Sequence, residues 1–169
     1  MNRVHQVLVL LSLLVVAGCQ AFLNGDASCT PSFEGAPVIS YRFEVDNVTT
    51  ESEARIAVVA SDGDYLVVVR DTGAYDTEIE FKLQGSRTVD VPLRYDPSLS
   101  VETPDDFPVV ISGVGPSGEG GGLFYGTITI TQMAETAMGA AFEVEYFRAA
   151  ASPVQIEGSF DTVIVQACR

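Results

Sequence analysis

The sequence predicts an all-β fold, an antiparallel sandwich or barrel of about nine strands, and two observations support this prediction. Apolar and polar residues alternate along most of the chain, which is the period of a half-buried strand. The alternating segments are short, and clusters of Gly, Pro, Asn and Asp separate them. Only residues 131–141, TQMAETAMGAA, offer a helical candidate, and a hairpin loop fits them equally well.

Five strands are predicted in the first half of the chain. They are ISYRFEV, ARIAVVA, YLVVVR, TEIEFKLQ and TVDVPLRY, and SDGD joins the second and third as a hairpin through an Asp-Gly turn signal. Alternation places the following apolar residues inward: Ile39, Tyr41, Phe43, Val45, Ile79, Phe81, Leu83, Val89, Val91 and Leu93. Pro92 cannot donate a ladder hydrogen bond, so the fifth segment is expected to be an edge strand or to contain a bulge.

Four more strands are predicted in the second half, at FPVVISGV, LFYGTITITQ, AAFEVEYFRA and VQIEGSFDTVIVQA. In the last of them, Gly158 is expected to permit a bulge or a close backbone approach, and Phe160 to lie in the core. The segment GEGGG lacks the Gly-Lys-Ser/Thr of a phosphate-binding loop, so a flexible loop is expected there.

The N-terminal segment MNRVHQVLVLLSLLVVAGCQ predicts export. Its apolar run from Val7 to Ala17 is shorter than the ~20 residues of a spanning helix and matches the core of a signal peptide over residues 1–18. The ending VAGC resembles a bacterial lipobox, in which small residues precede a cysteine that receives lipid. Val16 stands where that motif usually has leucine.

The lipobox resemblance implies lipidation at Cys19, followed by a tether over residues 19–28. The 151 residues that follow residue 18 suffice for one domain with a core and not for two, so a single domain is expected over residues 29–169. Lipid chains would anchor the protein in the membrane, and Gln20 after the cysteine favours the outer over the inner membrane. The expected partners are the membrane and envelope proteins, the latter recognised through a sheet edge. The alternative is an ordinary signal peptide that is cleaved elsewhere, with Cys19 incidental.

Charge and histidine content exclude several functions. With 9 basic and 23 acidic residues the net charge is −14, which repels nucleic acid. The single histidine, His5, lies in the predicted signal peptide, so His-dependent hydrolases and His-ligated metal sites are not expected. Lys82, the one lysine, falls on the polar face of a strand and is expected to be solvated. Neither a metal site nor a cofactor is predicted.

Two further cysteines, Cys29 and Cys168, lie near the two ends of the predicted domain. Export implies an oxidising compartment, in which a cysteine pair is expected to bond. The sequence therefore predicts a disulfide between Cys29 and Cys168.

The segment RDTGAYD resembles the active-site loop of retropepsin-like aspartic proteases, in which two copies of the loop bring two carboxylates together. That resemblance implies a homodimeric protease with Asp71 as the catalytic residue. A hairpin turn is the preferred interpretation, in which Asp71 caps its own backbone and Gly73 takes a positive φ. Charged Arg70 stands where the protease family has an apolar residue, and VVISG is a poor counterpart of that family's later supporting element.

Other polar candidates also have turn interpretations. Asp62 and Asp64 of SDGD offer oxygen ligands for calcium, but the Asp-Gly turn explains them without a metal. The sequon NVT at residues 47–49 carries no weight in a bacterial lipoprotein. Tyr75, Tyr95 and Tyr125 lie in or beside loops, where they could line a groove.

The C-terminal region from Gly126 onward resembles a pattern found in small bacterial surface lipoproteins with β-sandwich folds, on the placement of its glycines and phenylalanines. That resemblance implies no activity. From the sequence we therefore expect a lipid-anchored envelope protein that acts as a binding or structural module, with the dimeric protease as the alternative.

Overall fold

Nine strands form one sheet in the computed structural model, which describes residues 29–73, 75–85, 88–98, 108–115, 122–147 and 152–168. They are β1 Val38–Val45, β2 Val48–Ser61, β3 Asp64–Asp71, β4 Glu78–Leu83, β5 Pro92–Tyr95, β6 Val109–Val114, β7 Leu123–Ala134, β8 Ala137–Phe147 and β9 Val154–Ala167. The spatial order is β5-β7-β8-β9-β1-β2-β3-β4-β6, and the sheet is nearly closed and barrel-like. The all-β prediction is confirmed, in its barrel form.

Neighbouring strands pair antiparallel, with one exception at the centre of the sheet. β1 pairs with β2 on one side and with residues 155–158 of β9 on the other. Where β1 has not yet begun, β9 and β2 pair directly and in parallel, Val58 with Val165 and Ala60 with Ala167. β1 is therefore inserted between two strands that meet each other beyond its N-terminal end.

The described residues contain no helix with the length and hydropathy of a membrane span.

Two-residue turns close the first two hairpins. Asp62 and Gly63 have φ of 51° and 87°, which are the two positive values of a type I′ turn and confirm the predicted hairpin. Asp46 and Asn47, with φ of 52° and 62°, form a second such turn between β1 and β2. This turn was not predicted from the sequence, in which Asn47 stood out only as part of a sequon.

Alternating apolar side chains fill the interior of the sheet. The largest fully buried ones include Phe81, Ile56, Ile79, Leu83, Ile128, Ile130, Met138 and Ile156. Phe81 on β4 packs against Phe142 on β8, with ring centroids 5.5 Å apart. Phe160 is buried, as predicted. Burial of apolar surface, at about 25 cal/mol per Å², is the main contribution to the stability of such a fold.

The segment before β1, residues 32–37, is tied to the outside of the sheet, and we call it the N-terminal strap. The side-chain amide of Gln166 on β9 accepts a hydrogen bond from Ser32 N at 3.0 Å and donates one to Ser32 O at 2.7 Å. The guanidinium of Arg70 on β3 lies 4.2 Å from the centre of the Phe33 ring, in a cation–π contact. The strap thus contacts two strands that are not neighbours in the sheet.

Three sequence predictions need correction. The fifth strand is only Pro92–Tyr95, and Val89 and Val91 are 39% and 46% exposed instead of inward-facing. The chain turns at Val89 and Asp90, where Asp90 has a φ of 62° and donates its N–H to Ile130 O. β5 does lie at an edge of the sheet, as Pro92 suggested.

The second correction concerns only the helical candidate at residues 131–141. These residues form the ends of β7 and β8 and the tight turn between them, which is the hairpin alternative. The third concerns Gly158, which stays in register with Tyr41 and Phe142 and is not at a bulge. A Cβ there would lie 2.6 Å from Phe142 Cζ, so the Phe142 ring occupies the space that glycine leaves. The register shift between β8 and β9 falls at Gly139 instead.

Glu80 is a half-buried carboxylate on the outer face of β4. Burial raises its pKa above the ordinary value, and the negative charge of Glu78 raises this pKa further. Ser112 donates a hydrogen bond to it at 3.4 Å, and this bond and the positive charge of Arg70 oppose the rise in pKa. The folded state therefore holds the Glu80 proton more tightly than the unfolded chain does.

Glu80→Gln is accordingly expected to stabilise the protein at neutral pH. With a raised folded pKa, the contribution of Glu80 to stability is fully present below its unfolded pKa and is lost as the pH rises through the folded pKa. Thermal unfolding should show a higher Tm for Glu80→Gln at pH 7 and nearly the wild-type Tm at pH 3. Glu135→Gln, in the exposed β7–β8 turn, is the control, and an equal gain at both pH values would contradict the expectation.

Candidate functional site

Asp71 is the last residue of β3, and its side chain fixes the loop that leads to β4. Its Oδ1 accepts hydrogen bonds from Gly73 N at 2.8 Å and from Ser52 Oγ at 3.0 Å. Its Oδ2 accepts one from Tyr75 N at 2.8 Å. A carboxylate that accepts backbone N–H groups two and four residues ahead is a local cap of the chain. These contacts support the turn interpretation.

One detail of the predicted turn was wrong. Gly73 does not take a positive φ, and Asp76 does so instead, at 47°. Asp71 itself is half-buried. Glycine is favoured at position 73 by lack of space, since a Cβ there would lie 2.8 Å from Ser52 Oγ. The loop is thus built on side-chain capping and close approach.

Tyr41 reaches the same end of the interior as Asp71. Its side chain is 3% exposed, and its hydroxyl lies near those of Ser52 and Thr77 without a well-formed hydrogen bond to any described residue. Burial, and secondarily the charge of Asp71, raises the pKa of Tyr41 to about 12. Tyr41 is therefore a neutral phenol at physiological pH.

Asp71→Asn is expected to destabilise the fold by about 1–2 kcal/mol, because an amide has only one acceptor oxygen. In either orientation of the amide, one of the two backbone N–H groups, Gly73 or Tyr75, would face an NH₂ group. Chemical denaturation with a linear extrapolation measures this loss.

The same variant tests the dimeric protease. That hypothesis requires a second Asp71 from another copy, acid-dependent cleavage of an unfolded substrate by the wild type, and complete loss of cleavage in Asp71→Asn. Cleavage that survives in Asp71→Asn would exclude Asp71 as its catalytic group.

The other predicted polar candidates serve the fold. Asp62 lies in the I′ turn, and Asp64 Oδ1 accepts a hydrogen bond from Gly85 N at 2.7 Å. Lys82 lies on the outer face of β4 in register with Leu66 and Val110. In the described part of the chain no three His, Cys, Asp or Glu side chains are grouped as a metal site.

Cys29 and Cys168 are disulfide-bonded, which confirms that prediction. Cys168 follows β9 directly, and its N–H donates to Ala60 O on β2 at 2.9 Å. Cys19, the predicted lipidation site, lies outside the described residues.

A long groove crosses the outer face of the sheet over β5, β7, β8, β9, β1 and β2. It consists of two clefts of about 530 Å³ and 210 Å³, which share Thr127 and Glu143. We call both clefts together the outer groove. The larger cleft has the volume of a small-molecule site. Its further lining residues include Ser40, Arg42, Glu51, Ala141, Glu157 and Ser159, and those of the smaller cleft include Arg94, Tyr95, Asp96, Tyr125 and Glu145.

One row of directly opposed residues runs along the groove. From β5 to β2 the row is Arg94, Thr127, Glu143, Glu157, Arg42 and Glu51, each in register with the next. Arg42 and Glu157 form an ion pair at 2.7 Å. Arg94 approaches Asp96 at 3.9 Å. Within the described residues, the side chains of Glu143 and Glu51 form neither an ion pair nor a hydrogen bond.

Small side chains form the floor of the groove beside this row. Thr129, Ala141 and Ser159 are in register across β7, β8 and β9, and Ser40 lies on β1. Because these side chains are short and the neighbouring Arg and Glu side chains are long, the outer face is concave here. Ala141 and Thr129 are half-buried, and Ser40 and Ser159 are exposed.

Two of the three predicted tyrosines meet at one end of the groove. Tyr95 and Tyr125 both line the smaller cleft. Tyr125 packs edge-on against Phe147 with ring centroids 5.0 Å apart, and Phe147 is 39% exposed. Burial raises the pKa of Tyr95, and Tyr125 contributes to that rise. Tyr75 lies elsewhere, 4.2 Å from Phe43 between ring centroids.

The outer groove was not predicted from the sequence. Its row residues lie on the polar face of six strands, where they look like an ordinary solvated surface. Their alignment depends on the register of β9 with β1 and of β8 with β9, which no local pattern specifies. The signal that could have indicated the groove is one small residue on the outer face of each of three strands, Thr129, Ala141 and Ser159.

A scan against protein-family models and searches of curated proteins and of solved structures each returned no match.

Proposed function

We propose that this protein is a lipid-anchored binding module of the bacterial envelope that holds its ligand in the outer groove. The observation that carries the proposal is the continuous row of opposed residues from Arg94 to Glu51, which lies beside a floor of small side chains. The groove lies on six hydrogen-bonded strands of one sheet, and a site on paired strands favours binding because little freedom is lost.

The anchoring half of the proposal is supported by the apolar run and VAGC in the N-terminal segment. A disulfide agrees with an oxidising compartment. Metabolic labelling with a fatty-acid probe is expected to tag the protein, and Cys19→Ala is expected to abolish the label. Undiminished labelling of Cys19→Ala would refute lipidation at this residue.

The binding half is tested by photo-crosslinking of the full chain in its native envelope. A photoreactive side chain at Ala141 in the groove floor is expected to capture an occupant. The matched control is the same side chain at Ser112, which is exposed on β6 outside the groove. Capture at Ala141 should be lost when Thr127→Arg blocks the point that the two clefts share. Equal capture at both positions, or none at Ala141, would refute binding in the groove.

A further inference from the structure

We infer that the occupant of the outer groove is an extended, positively charged peptide segment that crosses the strands, with basic side chains at positions i and i+4. The inference rests on the proposed function and adds the chemistry and the register of the ligand. The structural basis is the placement of two unpaired carboxylates, Glu143 and Glu51, in one row on either side of an ion pair.

Charge favours a cationic occupant. Arg42 and Glu157 neutralise each other at 2.7 Å in the middle of the row, and Arg94 has Asp96 nearby. This leaves the carboxylates of Glu143 and Glu51 outside any ion pair in the described part of the chain, with the guanidinium of Arg42, which lies opposite Glu51, bound to Glu157. A basic side chain placed on either one would gain an ion pair without breaking an existing one.

Spacing favours an extended peptide. Glu143 on β8 and Glu51 on β2 are three strand positions apart, through Glu157 on β9 and Arg42 on β1. At about 4.8 Å per strand this distance is about 14 Å, and four residues of an extended chain span about 13 Å. Residues i and i+4 of a strand point to the same side, so both basic groups can face the sheet.

The groove floor fits the backbone between the two contacts. Ala141 and Ser159 are small and in register with each other, so a chain can lie close to the sheet there. A second copy of the protein is a poor occupant, because the net charge of −14 makes copies repel. A metal ion is also disfavoured, because no three ligating side chains are grouped in the described residues.

The test uses the full chain in detergent micelles and three synthetic peptides. GSKTATKSG carries lysines at i and i+4, GSKTAKTSG carries them at i and i+3 on opposite sides, and GSETATESG carries glutamates. We expect only GSKTATKSG to bind measurably by calorimetry, and added salt to weaken its binding. Equal binding of the two lysine peptides, or no binding of GSKTATKSG, would overturn the inference.

Variants identify the contacts. Glu143→Gln and Glu51→Gln are each expected to weaken binding of GSKTATKSG about threefold, and the double variant about tenfold. Glu135→Gln, in the exposed β7–β8 turn, should bind as the wild type does. If all three single variants bind alike, the inference is wrong. Capture at Ala141 without binding of GSKTATKSG would leave the proposed binding function intact and would refute only the inference that the occupant is a cationic peptide.

Discussion

Removal of the Cys29–Cys168 disulfide is expected to lower the free energy of unfolding by about 3–5 kcal/mol. The two cysteines have 138 residues between them. Cross-linking so long a loop removes about 5 kcal/mol of chain entropy from the unfolded state in the simplest model. Because domains of this size are stable by only about 5–15 kcal/mol, the loss is a large share of the total.

The measurement is thermal unfolding with and without a thiol reductant, where we expect the Tm to fall by about 10 °C or more. The double variant Cys29→Ser and Cys168→Ser should match the reduced wild type and should not respond to the reductant. A reductant effect that persists in this double variant would have another cause. An unchanged Tm of the reduced wild type would show that the disulfide adds nothing to the fold.

The sequence predicts the individual strands well, because alternation is a local property. Ile79, Phe81 and Leu83 are all buried on one face of β4, as their spacing requires. Val89 and Val91 alternate in the same way and yet are exposed, because the turn at Asp90 keeps them out of β5. A three-residue alternation is too short to distinguish a strand from the approach to one.

The arrangement of the strands is a different matter, because it depends on contacts between residues far apart in the chain. The insertion of β1 between β9 and β2 joins the two ends of the domain, and nothing within ISYRFEV or VQIEGSFDTVIVQA specifies it. The outer groove depends on this insertion, since Arg42 stands beside Glu157 only because β1 pairs with β9. The proposed binding surface therefore exists only because these strands pair in this register.

Three glycines lie where the backbone of a neighbouring strand approaches closely, and none of these approaches was predicted from the sequence. A Cβ at Gly113 would lie 2.0 Å from Glu78 O, one at Gly139 2.2 Å from Asp161 O, and one at Gly126 2.3 Å from Glu143 O. In each case the neighbouring strand's backbone occupies the space of the missing side chain. Glycine at such points lets a sheet bend towards closure.

Gly126→Ala is expected to destabilise the protein by about 3 kcal/mol or more, and it tests this account at the groove itself. Gly126 lies in β7 between Tyr125 and Thr127, with a φ of +150° that side chains rarely adopt. The added Cβ would meet backbone atoms of β8, which cannot move aside as a flexible side chain can. Strain in the backbone and overlap with β8 both contribute to the loss.

Gly63→Ala is the control that separates backbone strain from overlap with a neighbouring strand. Gly63 also has a positive φ, +87°, but a Cβ there would meet nothing within 4 Å. Its substitution should therefore carry the conformational cost alone, about 1–2 kcal/mol. Denaturant titration of both variants gives the difference, which reports the close approach of β7 to β8 together with the greater backbone strain at a φ of +150°. If Gly126→Ala costs no more than Gly63→Ala, β7 and β8 can separate at this point without loss of stability. The outer groove beside Gly126 would then lack the rigid wall that the proposed binding requires.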